Sequence, residues 1–446
     1  VGGRYGGGAQ RDVDEFGRER RGRPHQRKPY ERPSRGGYRG GGHGGHGRGD
    51  GGQAGQADEP QDVESRLSSL IVKVGDRNAP TLQNNLEALS VVLEKDYAAH
   101  EVTVLQTFRQ CVLELPWRVT VYATLAGLLN AKSSGMGAKV VALMHAVLRR
   151  ELAAGNWSAV KVLMRFFALL VGTNAISAGS LLAMLDVFLD PAAGAPPSAQ
   201  SSCYVFIAMS TLLWAGRSLR DAAPAELDAR LQAATQYVQR LGEATQGSNL
   251  TTVFHDAPPK GPNGLAALLD VLRAVAADGW RIDAVVAPNA LFTADFAAAT
   301  QHELPPLELP AGLAPGAFRT PPEYVQLVPS PAEHAVRRYV LLDLIGDTLT
   351  QLEANRKDCA RYLMQVSWLC NEDVCSVMAT AQHPEDVDPE TALVFEYLVA
   401  EALFTHLLQL PESASREMYY ASLAIELRKA EPKIMARVLE TAVDGI

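Results

Sequence analysis

From Asp62 onward the apolar residues recur at helical spacing. Val63, Leu67, Leu70, Ile71 and Val74 fall at i, i+4, i+7, i+8 and i+11, which is one face of a helix, with Asp62 as N-cap and Gly75 as stop. Pro80-Thr81 opens a second helix with Leu82, Leu86, Leu89 and Leu93 inward. Val102, Leu105, Phe108 and Val112 predict a third, ended by Pro116. Trp117, Val121, Leu125, Leu128 and Leu129 predict a fourth. Further helices fit 139–153, 158–171 and 180–189, with short links at Ser133-Ser134-Gly135, Ala154-Gly155-Asn156 and Gly172-Thr173-Asn174.

After a Pro/Ala-rich loop at 190–202, helices resume at 203–214 and 225–241. Residues 242–264 are polar and rich in Pro and Gly, and weaker helices follow at 265–277 and 289–300. The stretch 305–331 is the most Pro-rich outside the first sixty residues and reads as an extended interdomain linker. Helices return at 332–355, 357–370, 389–410, 415–430 and 433–443. No stretch alternates with period two between turn signals. Helices of about 12–16 residues with short links imply antiparallel pairs, and a pair with its turns spans roughly 40 residues, the period of HEAT-type repeats. The expected fold is therefore all-α: a HEAT-like superhelix of antiparallel helix pairs in two domains. These are 62–302 and 332–446, with a linker at 303–331. A length of 446 residues would suit roughly three domains of about 150. The second block is short and the chain starts without Met, so it reads as a piece of a longer protein.

Composition changes the picture only at the N-terminus. Residues 1–60 hold 19 of the 37 glycines and a net charge of +4, whereas residues 61–446 carry −12. The large apolar residues there are few, so the segment cannot offset the entropy of ordering and is expected to be disordered. Within it, Arg20, Arg21, Arg23, Arg27 and Lys28 form two basic clusters that resemble a bipartite nuclear-import signal, although Glu19 and Glu31 flank them. Arg35, Arg39 and Arg48 lie among glycines, in or near Arg-Gly-Gly triplets, a pattern suited to weak RNA contact. The plainer reading is a solubilising tail. The acidic body is a poor nucleic-acid binder by itself. No apolar run approaches the ~18 residues of a membrane span. The best, Val160 to Val171, is interrupted by Lys161 and Arg165, read here as a solvated face.

Catalytic and metal-binding signatures are missing from the sequence. It has no nucleophile elbow, P-loop or HExxH. Gly40, Gly42 and Gly45 match GxGxxG without a strand before or a helix after them. Cys370 and Cys375 have the wrong spacing for a zinc pair, and His43 and His46 sit on flexible glycine chain. His145 reads as core or groove packing, the five tryptophans read mostly as core anchors with one available to line a groove, and Leu125-Ala-Gly-Leu128-Leu129 reads as helix core rather than an LxxLL docking motif. No catalytic residue, cofactor or metal is assigned, and the chain is not expected to be an enzyme.

Several blocks together resemble the large subunit of the nuclear cap-binding complex, in a fungal-type form. They are Ser69-Leu-Ile-Val-Lys-Val-Gly-Asp76, Asn85-Leu-Glu-Ala-Leu89, and Val121-Tyr-Ala-Thr-Leu-Ala-Gly-Leu-Leu-Asn-Ala131. Leu163-Met-Arg-Phe-Phe167, Tyr204-Val-Phe206 with Trp214-Ala-Gly216, and His302-Glu-Leu-Pro-Pro306 complete the set. The resemblance implies HEAT-like domains related to the middle domain of the translation-initiation scaffold. It implies a scaffold that orders a small RRM subunit, which grips the 7-methylguanosine cap, so that capped RNA is reached mainly through that subunit. It also implies recruitment of factors for splicing, 3′ processing, export and decay, nuclear residence with shuttling, and import by importin alpha through the cluster at Arg20–Lys28. The family has a third helical domain that this sequence does not reach. Its small subunit docks mainly on the second and third domains, so binding by this chain alone would be weak or absent, and no docking residue carries over. The competing reading is a related translation or decay scaffold that binds RNA directly through its tail and a basic helical groove. An import-type solenoid ranks third.

Overall fold

A computed structural model describes residues 60–75, 79–194, 196–247, 264–310, 313, 318, 321–324, 334–351, 356–366, 395–409, 414–430 and 436. Among them there is no strand, only an isolated bridge between Ile176 and His302. The helices are α1 (Pro60–Lys73), α2 (Ala79–Glu114), α3 (Val119–Lys132), α4 (Ser134–Ala154), α5 (Trp157–Gly172), α6 (Ala178–Leu189) and α7 (Ala199–Ala222). Next come α8 (Pro224–Gly247), α9 (Gly264–Ala277), the short α10 (Thr293–Ala297), α11 (Ala335–Gln351), α12 (Arg356–Val366), α13 (Phe395–Gln409) and α14 (Ala414–Ala430). Neighbours pack in sequence, as HEAT-like pairs do: α1 on α2, α3 on α4, α6 on α7 and α7 on α8.

The central layer is α3, α5 and α7. Twelve residues of α3, Val119 to Asn130, are buried without a break. A helix apolar all round has no outward stripe and must sit inside a larger body. Helix α5 packs on both α3 and α7. The helix starts follow capping chemistry. The Asn156 side chain accepts from the Ala159 N–H at 3.4 Å at the start of α5, and Ser198 and Ser201 form a capping box at the start of α7. Gly155, at φ +69°, closes α4 in the left-handed conformation that glycine adopts without steric cost.

The helical expectation holds in kind, with local differences. Helix α1 begins at Pro60, so Asp62 is not its cap. On its face Leu67, Ile71 and Val74 are buried but Leu70 is 39% exposed. The second and third expected helices run together as α2, interrupted only at His100, whose φ −127° and ψ 26° are non-helical. That break resets the register. The inward face beyond it is Val104, Phe108, Cys111 and Val112, while Val102 is 67% exposed. Ser133 alone separates α3 from α4, because its carbonyl already accepts from the N–H groups of Met136 and Gly137. The weak helix expected at 289–300 is a 3-10 turn, Pro288–Phe292, followed by α10. The helix expected at 433–443 lies outside the described residues but for Ala436.

Residues 301–310 are extended and lie against the helices, with Leu307 buried and Leu304 and Leu309 half-buried on the core. Beyond them Phe318 stacks on Trp157 at 5.5 Å between ring centroids. Helix α11 then packs on α5, α9 and α13, and α12 on α14, so the helices on both sides of this segment belong to one compact unit, Asp58–Ile446.

Candidate functional site

The densest polar chemistry in the body lies where α5 meets α11. Lys161 and Arg165 stand four residues apart on α5, and Asp343 and Asp347 four apart on α11, so each helix presents its pair on one face. All four side chains are buried. The Lys161 ammonium donates to Asp343 and, at 2.8 Å, to Asp347. The Arg165 guanidinium donates to Asp343 at 2.7 Å and to Asp347 at 2.6 Å. Each cation thus bridges both carboxylates, and the set is formally neutral. Burial pushes the Asp347 carboxyl upward, but the Lys161 and Arg165 charges outweigh it and hold the group below its ordinary value. Burial lowers the Arg165 guanidinium, but the two aspartates outweigh it and raise it. The cations also lie over aromatic rings, Lys161 at 5.4 Å from Phe206 and Arg165 at 5.0 Å from Trp214. Reading Lys161 and Arg165 as a solvated face is therefore overturned. Their partners lie some 180 positions away and are invisible to the local pattern.

Further links join the same two regions. Arg337 of α11 makes a two-pronged pair with Asp283, at 3.0 and 2.5 Å, which holds the Asp283 carboxyl below its ordinary value. Trp117 packs against Tyr362 of α12 at 4.9 Å. Within the second region, Arg338 donates to the buried Glu401 of α13 at 2.6 Å.

The His302-Glu-Leu-Pro-Pro306 block has a clear structural task. The Asn130 side-chain amide donates to the Thr300 carbonyl at 2.9 Å, and its oxygen pairs with His302 Nε2 at 2.7 Å. The His302 N–H donates to the Ala175 carbonyl at 2.9 Å. Glu303 accepts from Ser180 at 2.6 Å and Ser177 at 2.9 Å, and these hydroxyls lower its carboxyl pKa. Asn174 donates to the carbonyls of Phe296 and Ala299, both at 3.1 Å. Side chains at the ends of α3 and α5 thereby satisfy backbone groups that an extended segment cannot pair within itself.

The import-signal residues Arg20, Arg21, Arg23, Arg27 and Lys28, and the RNA-contact residues Arg35, Arg39 and Arg48, lie outside the described residues, as do Trp368, Cys370 and Cys375. His145 is buried edge-on to Phe167 at 6.4 Å, and burial, with Arg149 nearby, lowers its pKa. Leu125, Leu128 and Leu129 are core. Arg149 and Arg150 are exposed, with Glu151 accepting from Arg150 at 3.0 Å and from Asn156 at 2.9 Å. Among the described residues no group of three or more His, Cys, Asp or Glu is placed to hold a metal ion. No single helix among them is long and apolar enough to cross a membrane.

Residues 64–256 match the family model described as MIF4G domain, and residues 330–446 match that described as MIF4G like. The chain is 27% identical over 400 residues to nuclear cap-binding protein subunit 1 of Anopheles gambiae, covering 87% of this chain and 47% of the relative. It is likewise 27% identical over 401 residues to the protein of that name from Aedes aegypti, covering 87% and 46%. The chain thus spans about half the length of the curated relatives it matches. It is a homologue of nuclear cap-binding protein subunit 1, built from MIF4G-type, HEAT-like helical domains.

Proposed function

We propose that this chain is scaffold material of a nuclear cap-binding complex and not an enzyme. In this reading it supports a small RRM subunit that binds the 7-methylguanosine cap, and it offers its helical surface to factors for splicing, 3′ processing, export and decay. The observation that carries the reading is the match to subunit 1 relatives along 87% of the chain, through both helical regions. The acidic body agrees with it, because a surface of net −12 across residues 61–446 leaves phosphate to a partner. Arg20, Arg21, Arg23, Arg27 and Lys28 would serve importin alpha and nuclear entry, with exit to the cytoplasm alongside exported RNA. Arg35, Arg39 and Arg48 would add loose RNA contact.

Cap-analogue resin tests this. The purified chain should be retained only when the small RRM subunit is added. Retention of the chain alone, competed by free cap nucleotide, refutes the reading.

A further inference from the structure

After α9 the chain turns back, and residues 280–304 cross the central layer in reverse order, from α7 over α5 to α3. Trp280 lies on Gly216 of α7, where a Cβ would stand 1.8 Å from the ring, so only glycine admits it. The Asn289 side-chain nitrogen reaches Gly172, the last residue of α5, and would lie 3.1 Å from a Cβ there. The 3-10 turn and α10 then pack on α3, with Phe292 and Phe296 buried. Beyond α10 the polar clasp takes over, with Asn130 of α3, Asn174 after α5, and Ser177 and Ser180 at the start of α6. The Leu304 N–H closes it by donating to the Ser180 hydroxyl at 3.0 Å.

The start of this segment is set firmly. Trp280 has φ +61°, a left-handed backbone that a bulky residue adopts only when its surroundings fix it. Its N–H donates to the Val275 carbonyl at 2.7 Å, and Arg220 donates to the Gly279 carbonyl at 2.9 Å. Ala284 and Val285 follow in the core. The second helical region grips the segment at the same place. Helix α11 packs on α9, and its Arg337 makes the two-pronged pair with Asp283. Stacked helix pairs touch only their neighbours, so small changes of angle at each interface add up to a change of curvature. A segment bonded to α7, α5 and α3 together removes that freedom, because a change of angle at one interface strains its contacts at the others.

We infer that residues 280–304 are a tie that fixes the curvature of the first helical region and passes the setting of α11 to it. Coupling between distant places travels through packed side chains, hydrogen bonds and rigid elements. Here the path runs from Arg337 to Asp283, through the Trp280 lock and α10, to the clasp on α3, α5 and α6. Whatever shifts α11 loosens the edge formed by α3 and α6, and by reciprocity whatever clamps that edge steadies α11. The inference is independent of the cap-complex reading.

Hydrogen exchange of the full chain, read by mass spectrometry, tests the tie. The reporters are the bonded amides of Trp280 at one end and of Ala299, His302 and Leu304 at the other. Arg337→Met and Asp283→Asn cut the pair from either side. Each should speed exchange by about two- to fivefold in peptides covering 278–285, and by the same factor in peptides covering 296–304. Asn174→Gly keeps the left-handed backbone at φ +55° and removes the side chain that holds the Phe296 and Ala299 carbonyls. It should speed exchange by about tenfold at both ends. A rise confined to the end that was cut, no rise at either end, or an equal rise in α14, which would mark general loosening of the chain, would each overturn the inference.

Discussion

Replacing Lys161 with Met leaves the cluster between α5 and α11 with one cation and two carboxylates. The Lys161 side chain is 7% exposed, and those of Asp343 and Asp347 are 2% and 3% exposed, so solvent cannot screen the surplus negative charge. Removing one partner from a buried ion pair costs about 3–5 kcal/mol, because the remaining charge stays in a poorly polarisable interior. Arg165 still bridges both carboxylates, which favours the lower end. At about 2 °C per kcal/mol for a body of this size, the melting temperature should fall by about 6–10 °C. The assay is thermal unfolding followed by circular dichroism, run beside the quadruple variant Lys161→Met, Arg165→Leu, Asp343→Leu, Asp347→Leu. That variant has no orphaned charge and should recover most of the loss. The pH dependence has a fixed sign. The depressed Asp347 carboxyl contributes stability that is fully present above its unfolded-state value near 4 and is lost as pH falls through the lower folded value. A drop smaller than about 1 °C for Lys161→Met, or a quadruple variant no better than the single one, would refute the reasoning.

Asn130→Ala removes the amide that holds both the Thr300 carbonyl and His302, and should cost about 1–3 kcal/mol and expose the 300–306 segment to limited proteolysis; unchanged cleavage would count against the clasp. Gly216→Ala forces a methyl into the Trp280 ring and should cost about 1–3 kcal/mol and shift tryptophan emission to the red; a native spectrum would contradict the packing. Burial raises the thiols of Cys111 and Cys359 to about 11 and about 12, so neither should react with iodoacetamide at neutral pH until the chain unfolds; prompt labelling of either in the native protein would contradict its burial.

What the pattern of residues revealed depended on where each helix sits. Helix α1 and the first half of α2 lie at the edge of the body, keep a solvent face and show a clean stripe such as Leu82, Leu86, Leu89 and Leu93. Helices α3, α5 and α7 are buried on most sides, so their existence was legible but their inward face was not. Boundaries failed where one residue set the geometry, as at His100 and Ser133. The charge cluster was misread because a local window shows Lys161 and Arg165 as interruptions of an apolar run. The available signal was a match between distant windows: two cations at i, i+4 in one strongly apolar helix and two aspartates at i, i+4 in another. The contact of Trp280 with Gly216 had no sequence signal, since it depends on a left-handed tryptophan laid over a glycine 64 positions earlier.

That matched spacing also explains why charges are used here at all. Apolar ridges on stacked helices interlock in more than one register, since a slip of one turn replaces one leucine contact with another. For α5 on α11, a one-turn slip would set one cation opposite one aspartate and leave one cation and one carboxylate buried without partners. Each unpaired group would cost several kcal/mol, comparable with the whole margin by which a native state is favoured. A fully apolar contact of the same area would be as stable in the correct register but would not penalise the wrong one. A scaffold that presents binding surfaces from separate helix pairs depends on their relative setting. The geometry of Lys161, Arg165, Asp343 and Asp347 selects one such setting, and Arg165 of the set also lies over the Trp214 ring.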